Sequence, residues 1–161
     1  MATQRAQVIR EGLIAGLLGY IAVAAVFMVL NVAQGLSPVH TPHALGEALL
    51  AGRMDPIETW TAVIAFNGVH LLATLLLGLG AAFLAARAEL DHGLAMGLVF
   101  SVLALGGFVP IFFGAVTVEF LHALQWPEVL MGSVAGAVGT LGYLAWAHRA
   151  LVVDLFEEAE A

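Results

Sequence analysis

The sequence of 161 residues contains neither cysteine nor lysine. Without cysteine the chain has no disulfide, no thiolate ligand for a metal or an iron–sulfur cluster, and no covalently attached haem. Without lysine it forms no retinal Schiff base and has no lysine nucleophile. The cofactors that remain are bound non-covalently: haem b, a quinone, or a divalent metal ion held by histidine and carboxylate.

Charge is also scarce. Only 11% of the residues are charged, against about 25% in soluble domains. Hydrophobic residues make up 61% of the chain, and the mean hydropathy is +0.99. The net charge of −7 argues against nucleic acid as a partner, since nucleic acid binds basic surfaces. This composition predicts an integral membrane protein whose first partner is the lipid bilayer.

Four apolar stretches predict four transmembrane helices, at about residues 12–33, 60–86, 94–121 and 127–147. The first is close to the roughly 20 residues that span a bilayer, so we interpret it as a retained span rather than a signal peptide. All four must be helical, because open strands leave backbone groups unsatisfied in lipid. We predict an all-α, four-helix membrane domain over residues 1–161, with an acidic tail at residues 150–161.

The arginines predict the orientation of these spans. Arg5, Arg10, Arg87 and Arg149 fall on one side of the predicted membrane, and Arg53 falls on the other. The positive-inside rule then places both termini in the cytoplasm.

The outward loop at residues 35–59 contains a predicted amphipathic helix at about residues 42–51. Thr41 is a plausible N-cap, Pro42 suits the first helical position, and Gly52 would end the helix. We expect this helix to cap the outer face of the bundle.

Glycine patterns predict where the spans pack closely. The first span carries Gly12, Gly16 and Gly19, and the fourth carries a similar row, Gly132, Gly136, Gly139 and Gly142. Small residues at this spacing let helix backbones approach one another. Packing within one bundle is the favoured interpretation, and a homo-oligomer through these two faces is the alternative.

The layout is similar to that of four-span bacterial inner-membrane families. The resemblance lies in Gly12-Leu-Ile-Ala-Gly16, in His70 followed by Gly78, and in the spacing of Gly93, Gly97, Phe100 and Pro110. It implies a multi-pass protein of the bacterial cell membrane.

His70 is the deepest ionisable residue of the predicted spans. Asn67, His70 and Thr74 share one helix face at i, i+3 and i+7. Ten residues of helix separate His70 from the interfacial Trp60, a depth of about 15 Å. Polar groups in hydrocarbon usually have a function or a partner. One interpretation is that His70 binds haem, a metal or a quinone, or relays protons. The favoured interpretation is a neutral imidazole hydrogen-bonded to a neighbouring helix, for example to Asn31 near the outer end of the first span.

Glu119 and His122 form a Glu-x-x-His pair near the outer end of the third stretch. Di-iron bundles use this motif twice and add two further glutamates, whereas this chain has one copy. A single divalent ion with His70 or a loop histidine as the third ligand is one interpretation, and a partly hydrated interfacial pair is the favoured one. The difference in depth between His70 and His122 argues against a haem ligated by both.

A second group of histidine and carboxylate side chains lies in the outer loop. These residue types suit zinc or copper, although a true site needs three or four converging ligands. His92 and His148, on the cytoplasmic side, are interpreted as surface residues at helix ends. The predicted metal ligands are His70, Glu119, His122, His40, His43 and Glu47, and the predicted cofactor-binding residues are His70 and Asn67.

Three functional hypotheses follow. The first is a non-catalytic membrane protein whose outward histidine–glutamate cluster binds a metal ion or redox cofactor, as a subunit of an electron-transfer complex. The second is a structural or accessory membrane subunit without a ligand. The third is an oligomeric channel or proton-linked transporter. We expect no enzyme, since no nucleophile with an adjacent base is evident.

Overall fold

A computed structural model describes residues 2–51, 56–89, 94, 97–98, 101–102, 126–150 and 153. Within these residues the regular secondary structure is entirely helical: α1 (Ala2–Ala33), α2 (His40–Leu50), α3 (Thr59–Ala88) and α4 (Trp126–Ala147). The predicted all-α fold is confirmed for this part of the chain.

Three of the helices are long and apolar enough to cross a membrane, over Arg5–Ala33, Thr59–Ala88 and Pro127–Ala147. They match the first, second and fourth predicted spans, although α1 begins at Ala2 rather than near residue 12. Most of the predicted third span, at 94–121, lies outside the described residues, as does the acidic tail apart from Ala150 and Val153.

The outer surfaces of these helices are suited to lipid. Ile64 is 69% exposed, Val138 67% and Val29 62%. A soluble protein rarely exposes contiguous apolar surface on this scale. The spans are apolar on all sides, which is typical of helices in a bilayer.

Helix α1 lies between α3 and α4, and α2 packs on α3. The core is built mainly from alanine, with larger residues only at a few places. Leu98 and Val102, from the chain between α3 and α4, pack into the same core. Small side chains suit this arrangement, because helix association in lipid depends on close van der Waals contact.

The crossing of α1 and α3 is close enough to require glycine. A methyl group added at Gly16 would lie 2.7 Å from the Cα of Leu75, and one added at Gly12 would lie 2.6 Å from the Cα of Leu79. Gly78 faces the backbone of Gly12 and Gly16 in return. The first span thus uses its glycines for packing within one chain, as the favoured interpretation predicts.

Three glycines of the α4 row also pack against α1, although Gly132 and Gly136 meet side chains and only Gly139 meets the backbone closely. Gly139 lies against the backbone of Leu18, and Gly136 lies against Val23. Gly142 meets open space in the described structure. A homo-oligomer through these faces stays a prediction.

Helix α1 ends in a Schellman motif. Gly35 has φ +74°. The N–H of Leu36 donates to the carbonyl of Asn31 at 2.8 Å, and the N–H of Gly35 donates to that of Val32 at 3.0 Å. This pairing satisfies the last carbonyls of the helix and needs a residue with φ > 0. It turns the chain sharply toward α2.

Gly35→Ala should lower the free energy of unfolding by about 1–2 kcal/mol, the cost of a left-handed conformation for an L-residue. A methyl group there meets nothing within 4 Å, so the loss is purely conformational. Gly68→Ala is the matched control, since Gly68 also has open space but lies within α3. Denaturation in detergent should show Gly68→Ala equal to or above wild type; an unaltered Gly35→Ala would contradict the prediction.

The start of α2 differs from the prediction. The helix begins at His40, and its N-cap Val39 makes no side-chain capping bond. Thr41 is not the N-cap: its hydroxyl donates to Oδ1 of Asn31 at 2.8 Å, so it fastens α2 to α1 instead. The helix ends at Leu50, and the predicted terminator Gly52 lies outside the described residues.

Candidate functional site

A cavity of about 240 Å³ lies among the four helices, in the half of the bundle near α2. Its described lining is mostly apolar and includes Val23, Phe27, Leu45, Phe66 and Val129. His70, Asn67 and Thr74 also line it. The polar stripe predicted on the second span therefore borders this cavity.

His70 sits in an aromatic setting on the cavity wall. Its ring stacks on Phe66, with centroids 5.6 Å apart and an interplanar angle of 9°. The Tyr20 ring lies 5.5 Å away on α1. The Nε2 atom of His70 is buried and has no hydrogen-bond partner among the residues that the structure describes. A buried polar atom without a partner is rare in proteins and costs free energy unless something satisfies it.

The other described polar groups near His70 are largely satisfied within the protein. The Tyr20 hydroxyl donates to Oδ1 of Asn67 at 2.8 Å, and Nδ2 of Asn67 donates to the carbonyl of Val63 at 2.8 Å. The Thr74 hydroxyl lies 2.9 Å from the Leu71 carbonyl and bonds back to its own helix. Asn67, a predicted cofactor-binding residue, thus positions Tyr20 against α3.

Asn31 makes its hydrogen bonds with residues other than His70. Asn31 is 4% exposed and accepts a hydrogen bond from Thr41, while its Nδ2 donates to the carbonyl of Pro38 at 3.2 Å. Its side chain is therefore committed to the α1–α2 corner. The hydrogen bond between Asn31 and His70, the example given for that interpretation, is therefore not formed, because Asn31 bonds to Thr41 and to the Pro38 carbonyl.

Of the predicted metal ligands in the outer loop, His43 and Glu47 lie close together. His43 Nε2 lies 3.5 Å from Glu47 Oε1, as expected for residues four apart on a helix. His40 is exposed at the start of α2. Among the described residues no group of three or more histidine, cysteine, aspartate or glutamate side chains is arranged to hold a metal ion. Glu119 and His122 lie outside the described residues, so a site that includes them stays a prediction.

Two glutamates meet one buried imidazole at the opposite end of the bundle. His148 Nδ1 lies 2.7 Å from Oε1 of Glu89, at the end of α3. On the other side of the ring, Nε2 lies 3.4 Å from Oε2 of Glu11 on α1, an ion-pair rather than a hydrogen-bond contact. Gln7 donates to the second oxygen of Glu11 at 2.9 Å. One imidazole thus joins three helices.

The interpretation of His148 as a surface residue is wrong. His148 is 8% exposed and Glu11 5%. A signal for this burial exists in the sequence: Glu11 precedes Ala15 and Gly19 at four-residue intervals and adjoins Gly12, so it lies beside the close-packing face of α1. A carboxylate there needs a partner from the neighbouring helices.

In comparisons with known proteins, no protein-family model, no curated protein sequence and no solved structure matches this chain.

Proposed function

We propose that the protein is a non-catalytic integral membrane protein that binds a redox cofactor of the quinone class in the cavity beside His70, as a subunit of an electron-transfer complex. The observation that carries the proposal is the buried, unpartnered Nε2 of His70 on the wall of an apolar cavity. Imidazole in its neutral form donates from one nitrogen, and a quinone carbonyl is a matching acceptor.

The size of the cavity supports a ring-sized headgroup. Its volume of about 240 Å³ lies between that of an engineered cavity that binds benzene, about 150 Å³, and the roughly 300–1,000 Å³ of sites for larger ligands. Met28 and Val69 line the cavity and are each 50% exposed on the helix surface. These two apolar side chains would lie against the isoprenoid tail of a bound quinone.

The chemistry of the walls supports the same ligand class. Phe66 and Tyr20 flank the imidazole and offer aromatic surfaces to a conjugated ring. A porphyrin is much larger than one substituted ring, so the described volume favours a quinone over haem b. A divalent ion finds no set of three described ligands.

The proposal includes four spans with both termini in the cytoplasm of a bacterial cell. Exposed arginines at positions 10, 87 and 149 flank the end of the bundle that holds the Glu11–His148–Glu89 cluster. Their clustering at one end supports an inward orientation by the positive-inside rule. The cavity then lies in the outer half of the membrane.

The test is equilibrium binding of ubiquinone-1, a short-chain quinone, to the purified protein in lipid nanodiscs. His70→Phe keeps an aromatic ring against Phe66 but removes the ring nitrogens, so we expect about 3- to 10-fold weaker binding, equivalent to one lost hydrogen bond. His40→Phe is the control, because His40 is exposed and absent from the described lining. Isothermal titration calorimetry measures both variants.

The stability of the same variants separates ligand binding from a structural role. If Nε2 lacks a partner in the ligand-free protein, His70→Phe should leave thermal stability unchanged or raised, since an unsatisfied buried group is removed. Wild-type protein that binds no ubiquinone-1, together with a destabilised His70→Phe, would favour the structural subunit instead. A Soret band in the purified protein would indicate haem as the ligand instead of a quinone. A stoichiometric metal would indicate a metal ion.

A further inference from the structure

We propose that α2 is a lid on this cavity, with Asn31 as the latch that holds the lid against α1. The inference rests on the proposed function, because it assigns the route by which the ligand enters and leaves. The first half of α2 borders the cavity through Thr41, Pro42 and Leu45, and Phe27 and Met28 of α1 form the facing wall. Separating these two sets of residues opens the cavity at its α2 end.

The two attachments of α2 differ in kind. Toward α3 the helix is held by close backbone packing: a methyl group added at Gly46 would overlap the main chain of Ala62. Contacts of α2 with α3 are extensive, whereas those with α1 are few. Gly46 on Ala62 is therefore the fixed point about which the N-terminal turn of α2 moves.

The Asn31 side chain hydrogen-bonds α1 to the first turn of α2 and to the connection before it. Oδ1 of Asn31 accepts from the Thr41 hydroxyl at 2.8 Å, and its Nδ2 donates to the carbonyl of Pro38 at 3.2 Å. Asn31 and Thr41 are 4% and 5% exposed, so water does not replace these bonds in the closed form. Within the described structure no other side-chain hydrogen bond links α1 to α2.

The geometry gives the lid a hinge at each end of its moving part. Before α2 the chain passes through Gly35, whose positive φ has open space around it. The carbonyl of Pro38 and the hydroxyl of Thr41 both meet Asn31, so the connection and the first turn of the helix are released together. Opening therefore requires the loss of two hydrogen bonds and leaves the backbone packing on α3 intact.

The first experiment compares Asn31→Leu with Ser37→Ala in the full chain in nanodiscs. Each substitution removes side-chain hydrogen bonding near the start of α2, but Ser37 accepts only from the nearby Val39 N–H and makes no described link to α1. We expect about 3- to 10-fold faster amide hydrogen exchange over residues 40–45 in Asn31→Leu, with α3 unchanged and Ser37→Ala like wild type. Unaltered exchange over residues 40–45 would overturn the lid. This readout needs no ligand.

The second experiment locks the lid. Because the chain has no cysteine, the double variant Asn31→Cys/Thr41→Cys places the sole pair of thiols where two side chains are already in contact. Oxidation should slow ubiquinone-1 association at least tenfold, and reduction of the same sample should restore it. Equal association rates in both redox states, with the disulfide verified by mass spectrometry, would overturn the proposal. Wild-type protein that binds no ubiquinone-1 would instead refute the quinone site, while hydrogen exchange still decides the lid.

Discussion

His148→Leu is expected to lower the free energy of unfolding by about 3–5 kcal/mol, the range for a buried charged group that loses its partner. The substitution leaves the Glu11 carboxylate buried, at 5% exposure, with only the Gln7 amide as a described partner. Leucine fills a similar volume to imidazole, so the loss is mainly electrostatic. His40→Leu, at an exposed position, should change stability by no more than about 0.5 kcal/mol.

The double variant Glu11→Leu/His148→Leu gives the sharper result. Replacement of a buried ion pair by apolar residues of similar volume is often neutral or stabilising. We therefore expect the double variant to be more stable than His148→Leu alone, with a coupling energy of about 1–3 kcal/mol in the cycle. Chemical denaturation in detergent measures all four proteins. Additive single effects would show that Glu11 and His148 do not form a pair.

Gly78→Ala is expected to disrupt both the helix crossing and the candidate site. The added methyl would lie 2.6 Å from the Cα of Gly16 and would overlap the backbone of Gly12 as well. Neither neighbour has a side chain that can move aside, so α1 and α3 must separate. Overpacking of this kind typically costs about 1–3 kcal/mol. The same crossing holds Tyr20 opposite Asn67 and His70.

Gly80→Ala is the matched control for this substitution. Gly80 lies two residues along the same helix, and a methyl group there meets nothing within 4 Å. Alanine favours helix over glycine by about 1 kcal/mol, so this control should equal or exceed wild-type stability. If the proposed quinone site is correct, Gly78→Ala should also weaken ubiquinone-1 binding, whereas Gly80→Ala should not. Similar stability of the two variants would contradict the close crossing.

The prediction of a helical membrane protein follows largely from composition. The scarcity of charge and the length of the apolar stretches predict helices that cross a bilayer. Three helices of the described structure are long and apolar enough to do so. The glycine spacing in α1 predicts a close crossing, because a helix places residues three and four apart on one face. The stripe of Asn67, His70 and Thr74 follows from the same periodicity.

The partners of the buried polar groups could not be predicted in this way. A span that is apolar on every side gives no periodic signal for its rotation, so the sequence alone does not state which helix faces which. Hydropathy and spacing therefore allow Asn31 as one example of a partner for His70, whereas in the structure Asn31 bonds to Thr41, and the rings of Tyr20 and Phe66 lie beside His70. His148 was placed at the surface for the same reason.

The sequence by itself determined that this chain is helical, suited to a bilayer, and sparing in polar groups within its apolar helices, because length, hydropathy and residue spacing are local properties. The tertiary structure decided that these groups separate into a cavity wall at His70, a corner at Asn31 and Thr41, and a contact of His148 with Glu11 and Glu89. The physical reason is steric. Glycine and alanine set how closely the helices approach, and this approach, rather than hydropathy, fixes which polar side chains meet.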